Sequence, residues 1–216
     1  RVDFDAVHIE GIRHISPLDF EFAKELGYRI KLLGITRQTE MGIEQRVHPC
    51  MIPLDAPIAH IEDVFNAVVV HGDRVGTTMY EGRGAGANPT ASAVVADIVD
   101  IAKGRLISAF GVSTKHLKAL NPANMTDRVA SYYVRFTVID RPGVFAEIAS
   151  ALRDHDVSME RIIQRGRAPG EAVQVVLTTH ETKEEAILAT IETIDRASTV
   201  VDATRMIRIE PFLFLS

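Results

Sequence analysis

The sequence contains one cysteine, Cys50, no tryptophan and few aromatics of any kind, 6% in all. A single thiol cannot close an intramolecular disulfide, so the fold must rest on burial and hydrogen bonding; the same scarcity fits a reducing, cytoplasmic setting. No apolar run comes near the roughly 20 residues needed to cross a bilayer, and no apolar signal segment stands at the start. No membrane partner is therefore expected. Positive charge is not in surplus: 24 lysines and arginines face 29 acids, for a net charge of −5 at pH 7. A nucleic-acid-binding chain needs a basic face, so that class is excluded. There is also no initiator methionine before RVDFDAV, which opens at Arg1. A processed terminus and an excised domain would both begin this way, and the excised domain is the better expectation.

Metal-ligand spacing is missing too. His8, His14, His48, His60 and His71 share no i,i+4 spacing, and His48-Pro49-Cys50 is one pair without a second to complete a tetrahedral set. No metal site is expected. Cys50 reads as a buried, inert thiol. Glu181–Glu185 reads as the solvated first turn of a helix, where acids suit the dipole. Asp3, Asp5 and Glu10 read as surface carboxylates.

What is present is an ordinary globular balance, 46% apolar and 25% charged over 216 residues, enough for one large or two small domains. Residues 15–27, ISPLDFEFAKELG, carry full helix punctuation: Ser16 as N-cap, Pro17 at N1, Asp19 to return the capping-box bond, and Gly27 as the stop. Strand-like runs follow at 28–36, 42–49, 65–70 and 75–80, with short turns that predict antiparallel hairpins. A helix is expected from about Thr90 to Lys103, with Val94, Val95, Ile98, Ile101 and Ala102 on one face. Residues 119–131 mix proline, asparagine and small residues and read as a linker. The fold class expected is α+β: a mainly antiparallel sheet with helices on one face, residues 1–118, then a second module at 132–210.

That second module has the order strand (133–139), helix (144–154), strands (158–164 and 173–179), helix (183–196) and strand (200–209). This is the ferredoxin-like βαββαβ pattern. Asp140-Arg141-Pro142-Gly143 joins its first strand to its first helix, leaving the amides of Val144 and Phe145 at a helix N-terminus. Such a terminus attracts a carboxylate or phosphate. A tight strand-to-helix connection with no ligand would read the same way. The stretch FTVIDRPGVFAEIASALRDHDVSMERI resembles the opening of an ACT domain, an amino-acid-sensing module. The resemblance covers roughly residues 132–210 and implies an effector held between two modules. Its contacts would be Asp140, Gly143, Val144 and Ser158, and self-association, as a homodimer or homotetramer, is expected.

Residues 81–92 read EGRGAGANPTAS, with Gly82, Gly84 and Gly86 at every second position before a helix. The spacing is not the G-x-G-x-x-G of a dinucleotide-binding βαβ unit. By itself it reads as a glycine-rich turn, or as a place where something comes close to the backbone. The strings IEGIRHISPLDFEFAKELGYRIKLLGIT, RVHPCMIP and FNAVVVHGDRVGTTMYEGRGAGANPTASAVVADIVDIA resemble the later catalytic domain of homoserine dehydrogenase. That family interconverts aspartate semialdehyde and homoserine with a nicotinamide cofactor, on the route to threonine, isoleucine and methionine. The resemblance implies that Gly82, Gly84, Gly86 and Thr90 approach the nicotinamide side of NADP or NAD, with Thr90 or Asn88 capping the helix behind the glycines. The family's nucleotide-binding domain and catalytic lysine would lie upstream of Arg1. No catalytic residue is therefore expected in the chain, and no cofactor is expected bound to it alone. An ACT module following this domain implies feedback by an amino acid, with threonine the candidate. A stand-alone amino-acid sensor, with residues 1–118 as a dimerisation platform, is the alternative.

Overall fold

The computed structural model describes residues 4–105, 108, 110–166 and 169–211. In chain order the elements are β1 (His8–Ile9), α1 (Pro17–Glu25), β2 (Tyr28–Thr39), β3 (Gly42–Pro53), β4 (Phe65–Gly72), β5 (Gly76–Arg83) and α2 (Ala87–Ala102). They continue as β6 (Val129–Ile139), α3 (Val144–Asp154), β7 (Met159–Gln164), β8 (Ala172–Thr179), β9 (Thr182–Lys183), α4 (Glu184–Asp195) and β10 (Val200–Ile209). The described residues cluster into two compact units, 54–119 on the one hand and 4–53 with 120–211 on the other.

The larger unit contains the βαββαβ module. Its four strands run in the order β10-β6-β8-β7, each antiparallel to its neighbour. Alternation along β6 decides what each face packs on. Tyr132, Val134, Phe136 and Val138 join Ile148, Leu152, Ile187 and Ile194 of α3 and α4 in one core. Tyr133 points the other way, into a second core with Phe22 and Ala23 of α1, Val176, Ile207 and Ile209. The sheet is thus covered on both faces, and α1 supplies one of the covers.

That arrangement comes from the first fifty residues. β10 pairs parallel with β3 through Arg208 opposite Cys50 and Ile209 opposite Met51, so the four-stranded sheet continues into β3. β3 pairs along its whole length with β2, antiparallel, and at Arg46 and Val47 with β1. Residues 119–131 are not a free connection. The Ile43 amide donates to Asn121 O and the Ala123 amide donates to Ile43 O, both at 2.9 Å, and β6 begins at Val129. Gly42, at φ 132°, has no room for a side chain because a Cβ would collide with the Asn121 carbonyl.

α1 forms as its sequence dictates. The Ser16 hydroxyl accepts from the Asp19 amide, the Asp19 carboxylate accepts from the Ser16 amide at 2.8 Å, and Gly27 ends the helix at φ 87°. In the smaller unit β4 and β5 make a separate two-stranded antiparallel sheet, joined by the turn at Asp73-Arg74. The four strands expected before residue 90 therefore do not share one sheet. The helix α2 begins at Ala87, three residues earlier than its sequence suggests. Gly86 takes φ 120°, a conformation side chains resist, and so becomes the N-cap itself. Asn88 and Thr90 lie inside the first turn, where the Thr90 amide bonds Gly86 O at 3.2 Å, and neither caps the helix. Val94, Val95, Ile98 and Ile101 do share an apolar side, and all are more than half exposed.

Candidate functional site

In the smaller unit the run from Glu81 to Asn88 lies wholly at the surface. Its three glycines differ in what they require. Gly84 donates its amide to Val64 O at 2.8 Å and abuts Asn66, whose amide group a Cβ would strike. Gly86 needs its positive φ. Gly82, at the end of β5, meets neither demand: a Cβ there would find nothing within 4 Å. The backbone at Gly82 is bare toward open space, and no described atom of the chain explains why. Thr90 is exposed just behind this turn.

In the larger unit a cavity of about 280 Å³ opens at the end of β6. Asp140, Gly143 and Val144 line it, with Phe145 and Gln164 across from them. Gly143 stands at φ 99° as N-cap of α3, and no side chain among the described residues caps that helix. The loop is pinned from below: Asp140 N donates to Glu171 O at 2.8 Å and Gly170 N to Asp140 O at 2.9 Å. A polar cradle with a helix start above an apolar floor of Val138, Val173 and Val175 suits a small molecule with a negative group. Ser158 does not join it. It precedes β7 at the end opposite Gln164 and is exposed.

The sequence reading missed a set of buried ion pairs that tie residues 4–53 to the module. Asp19 on α1 accepts from Arg135 Nε at 2.6 Å, Arg135 Nη2 at 3.1 Å and the Tyr133 hydroxyl at 2.9 Å. Burial alone would push the Asp19 carboxyl up; the Arg135 and Ser16 hydrogen bonds hold it below its usual range. Glu210 accepts from Arg128 at 2.6 Å and from Arg46 at 3.1 Å, and Arg46 also pairs with Glu44. Arg208 pairs with Glu184 and, at 2.8 Å, with Glu10. Glu184 is therefore buried and paired, not a solvated first-turn acid, because β10 delivers a guanidinium to it. Glu10 is likewise no free surface carboxylate. Burial raises its pKa, but Arg208 and His8 bring it down to about 2. The available signal was weak: a lone Arg208 between Ile207 and Ile209 points to the opposite face from its apolar neighbours.

Two expectations at the start of the chain fall on residues without a described position. Asp3, read as a surface carboxylate, lies outside the described residues, and so does Arg1, upstream of which the catalytic lysine is expected.

His48, Cys50 and Glu210 also meet, their ligand atoms all within 4.8 Å of one another and all three residues buried. The chemistry does not suit a cation. Glu210 is already held by two guanidinium groups and His48 Nδ1 faces the Pro49 carbonyl at 3.0 Å, so two of the three ligands are otherwise engaged.

The geometry defines a class: a ferredoxin-like module whose sheet is extended by preceding strands, together with a hairpin–helix unit bearing an exposed glycine turn. Comparison with known proteins makes it particular. Residues 1–99 match the family model of homoserine dehydrogenase and residues 132–196 that of the ACT domain. The chain is 43% identical over 217 residues to a homoserine dehydrogenase of Neisseria gonorrhoeae and 39% identical over 206 residues to that of Helicobacter pylori. These alignments cover 97% and 95% of the chain but 49% and 48% of the relatives. The structure of a homoserine dehydrogenase from Thiobacillus denitrificans superposes with a TM-score of 0.86 at 39% identity, over 96% of this chain and 48% of that one. The chain is thus similar to homoserine dehydrogenases over nearly its whole length, carries matches to the homoserine dehydrogenase model over residues 1–99 and to the ACT domain over 132–196, and spans about half the length of the relatives it matches.

Proposed function

We propose that the chain is the C-terminal part of a homoserine dehydrogenase, and that Gly82, Gly84, Gly86 and Thr90 lie against the nicotinamide of NADP or NAD in the whole enzyme. The observation that carries this reading is Gly82, whose missing side chain faces open space with no structural need among the described residues. A cofactor packed on the backbone supplies that need. The nicotinamide would bring the hydride; the glycine turn would hold its ring and exclude water from that side. The chain alone would turn over no substrate, its general acid lying in a segment upstream of Arg1. The exposed apolar side of α2 would be covered by that segment or by a second copy, in a homodimer or homotetramer. The lone buried thiol suits a cytoplasmic enzyme, and no helix among the described residues is long and apolar enough to cross a membrane.

The ACT module would take an amino-acid effector, with threonine the candidate, in the cavity of Asp140, Gly143 and Val144. Ser158 would contribute only from a second module, since it stands away from the cavity of its own. The test for the cofactor turn is Gly82→Val in the full-length enzyme. Its KM for the nicotinamide cofactor should rise at least about tenfold while its melting temperature stays put. An unchanged KM, or measurable homoserine oxidation by the 216-residue chain alone, would overturn the assignment.

A further inference from the structure

A second cleft in the larger unit, of about 330 Å³, lies between the segment after β1 and the middle of β10. It shares no lining residue with the cavity at Asp140. Its walls carry charge of both signs. Arg205, half-buried, meets only His14 Nδ1, at 3.4 Å, and pairs with no carboxylate among the described residues. Glu10 sits on the cleft as an anion, its Oε1 taken by His8 Nε2 and Arg208 Nη2, both at 2.8 Å. Its second oxygen accepts nothing among the described residues. Ile15, Pro49, Met206 and Ile207 supply the apolar lining between.

A guanidinium lacking an acid, a carboxylate oxygen lacking a donor and a small apolar floor match one kind of ligand. We propose that this cleft binds a small α-amino acid, with its carboxylate on Arg205 and its ammonium on Glu10. A guanidinium takes a carboxylate through paired N–H bonds, and His14, whose Nδ1 accepts from Arg205, steadies it. The cleft is at the lower end of the range for small-molecule sites, so the side chain would be short, aliphatic or hydroxylated. The proposal is independent of the reading of the ACT cavity, because the two sites share no lining residue.

The probe is L-threonine, titrated to about 10 mM into the 15N-labelled 216-residue chain, the range where weak metabolite sites saturate. The amides of Gly11, Thr204, Arg205 and Met206 should shift, and Arg205→Gln should weaken that response at least about tenfold. Glu10→Gln should do the same, and circular dichroism would show each variant still folded. L-Threoninamide, without the carboxylate, and N-acetyl-L-threonine, without the ammonium, should each bind at least about tenfold more weakly. The proposal falls if these amides do not move, if only the Asp140–Val144 amides respond, or if Arg205→Gln responds like the parent. Equal binding of N-acetyl-L-threonine would reduce the cleft to a simple anion subsite and overturn it as well.

Discussion

His48 offers the sharpest test of the buried network, and acid is the perturbation. Its ring is fully buried, with Nδ1 at 3.0 Å from Pro49 O and Nε2 without a partner among the described residues. The carbonyl assigns the proton to Nδ1, so a second proton would land on Nε2 with no acceptor and with Arg46 and Arg208 close by. Burial, aided by those two cations, lowers the His48 pKa from 6.5 to about 4. The unfolded chain then binds a proton that the folded chain refuses between these values. Stability from His48 is complete above pH 6.5 and lost as pH falls toward 4. At about 1.4 kcal/mol per pH unit the whole window is worth about 3 kcal/mol, and about 2.5 kcal/mol of it is gone by about pH 4.5. That is a large share of a typical domain's roughly 5–15 kcal/mol. Urea unfolding of the parent and of His48→Gln from about pH 7.5 to 4.5 isolates the effect, since glutamine does not titrate and the other acids are common to both. The stability difference between the two proteins should shift by about 2.5 kcal/mol in favour of the variant as pH falls. A difference flat within about 0.5 kcal/mol, or an imidazole titration midpoint near about 6.5, would refute the reasoning.

Two further substitutions separate what packing demands from what a ligand would. Asp19→Ala leaves Arg135 and Tyr133 without their acceptor under α1 and removes half of the capping box. An unpaired buried cation should cost about 3–5 kcal/mol in urea unfolding, while a loss under about 1 kcal/mol would show that α1 does not hold the sheet as described. Gly86→Ala forces a side chain to φ 120° and should cost about 1–3 kcal/mol, whereas Gly82→Ala meets no atom and should change stability by less than about 0.5 kcal/mol. Equal melting shifts for the two would contradict the distinction drawn between the glycines.

Local signals carried far. The capping box at Ser16 and Asp19, the stop at Gly27, the start of α3 after Gly143 and the order of the βαββαβ module depend on neighbours within a few residues, so their sequence specified them. The start of α2 was misplaced only because a glycine can serve as its own cap. Tertiary structure alone decided that β3 would extend the module's sheet through β10, that α1 would close its open face, and that Glu210 would find Arg46 across 164 residues of chain. Strand alternation states which residues share a face but not which strand or helix that face will meet. A charged residue in an apolar run signals burial with a partner without naming the partner. Those choices were made by long-range pairing, where burial of whole faces outweighs any local preference.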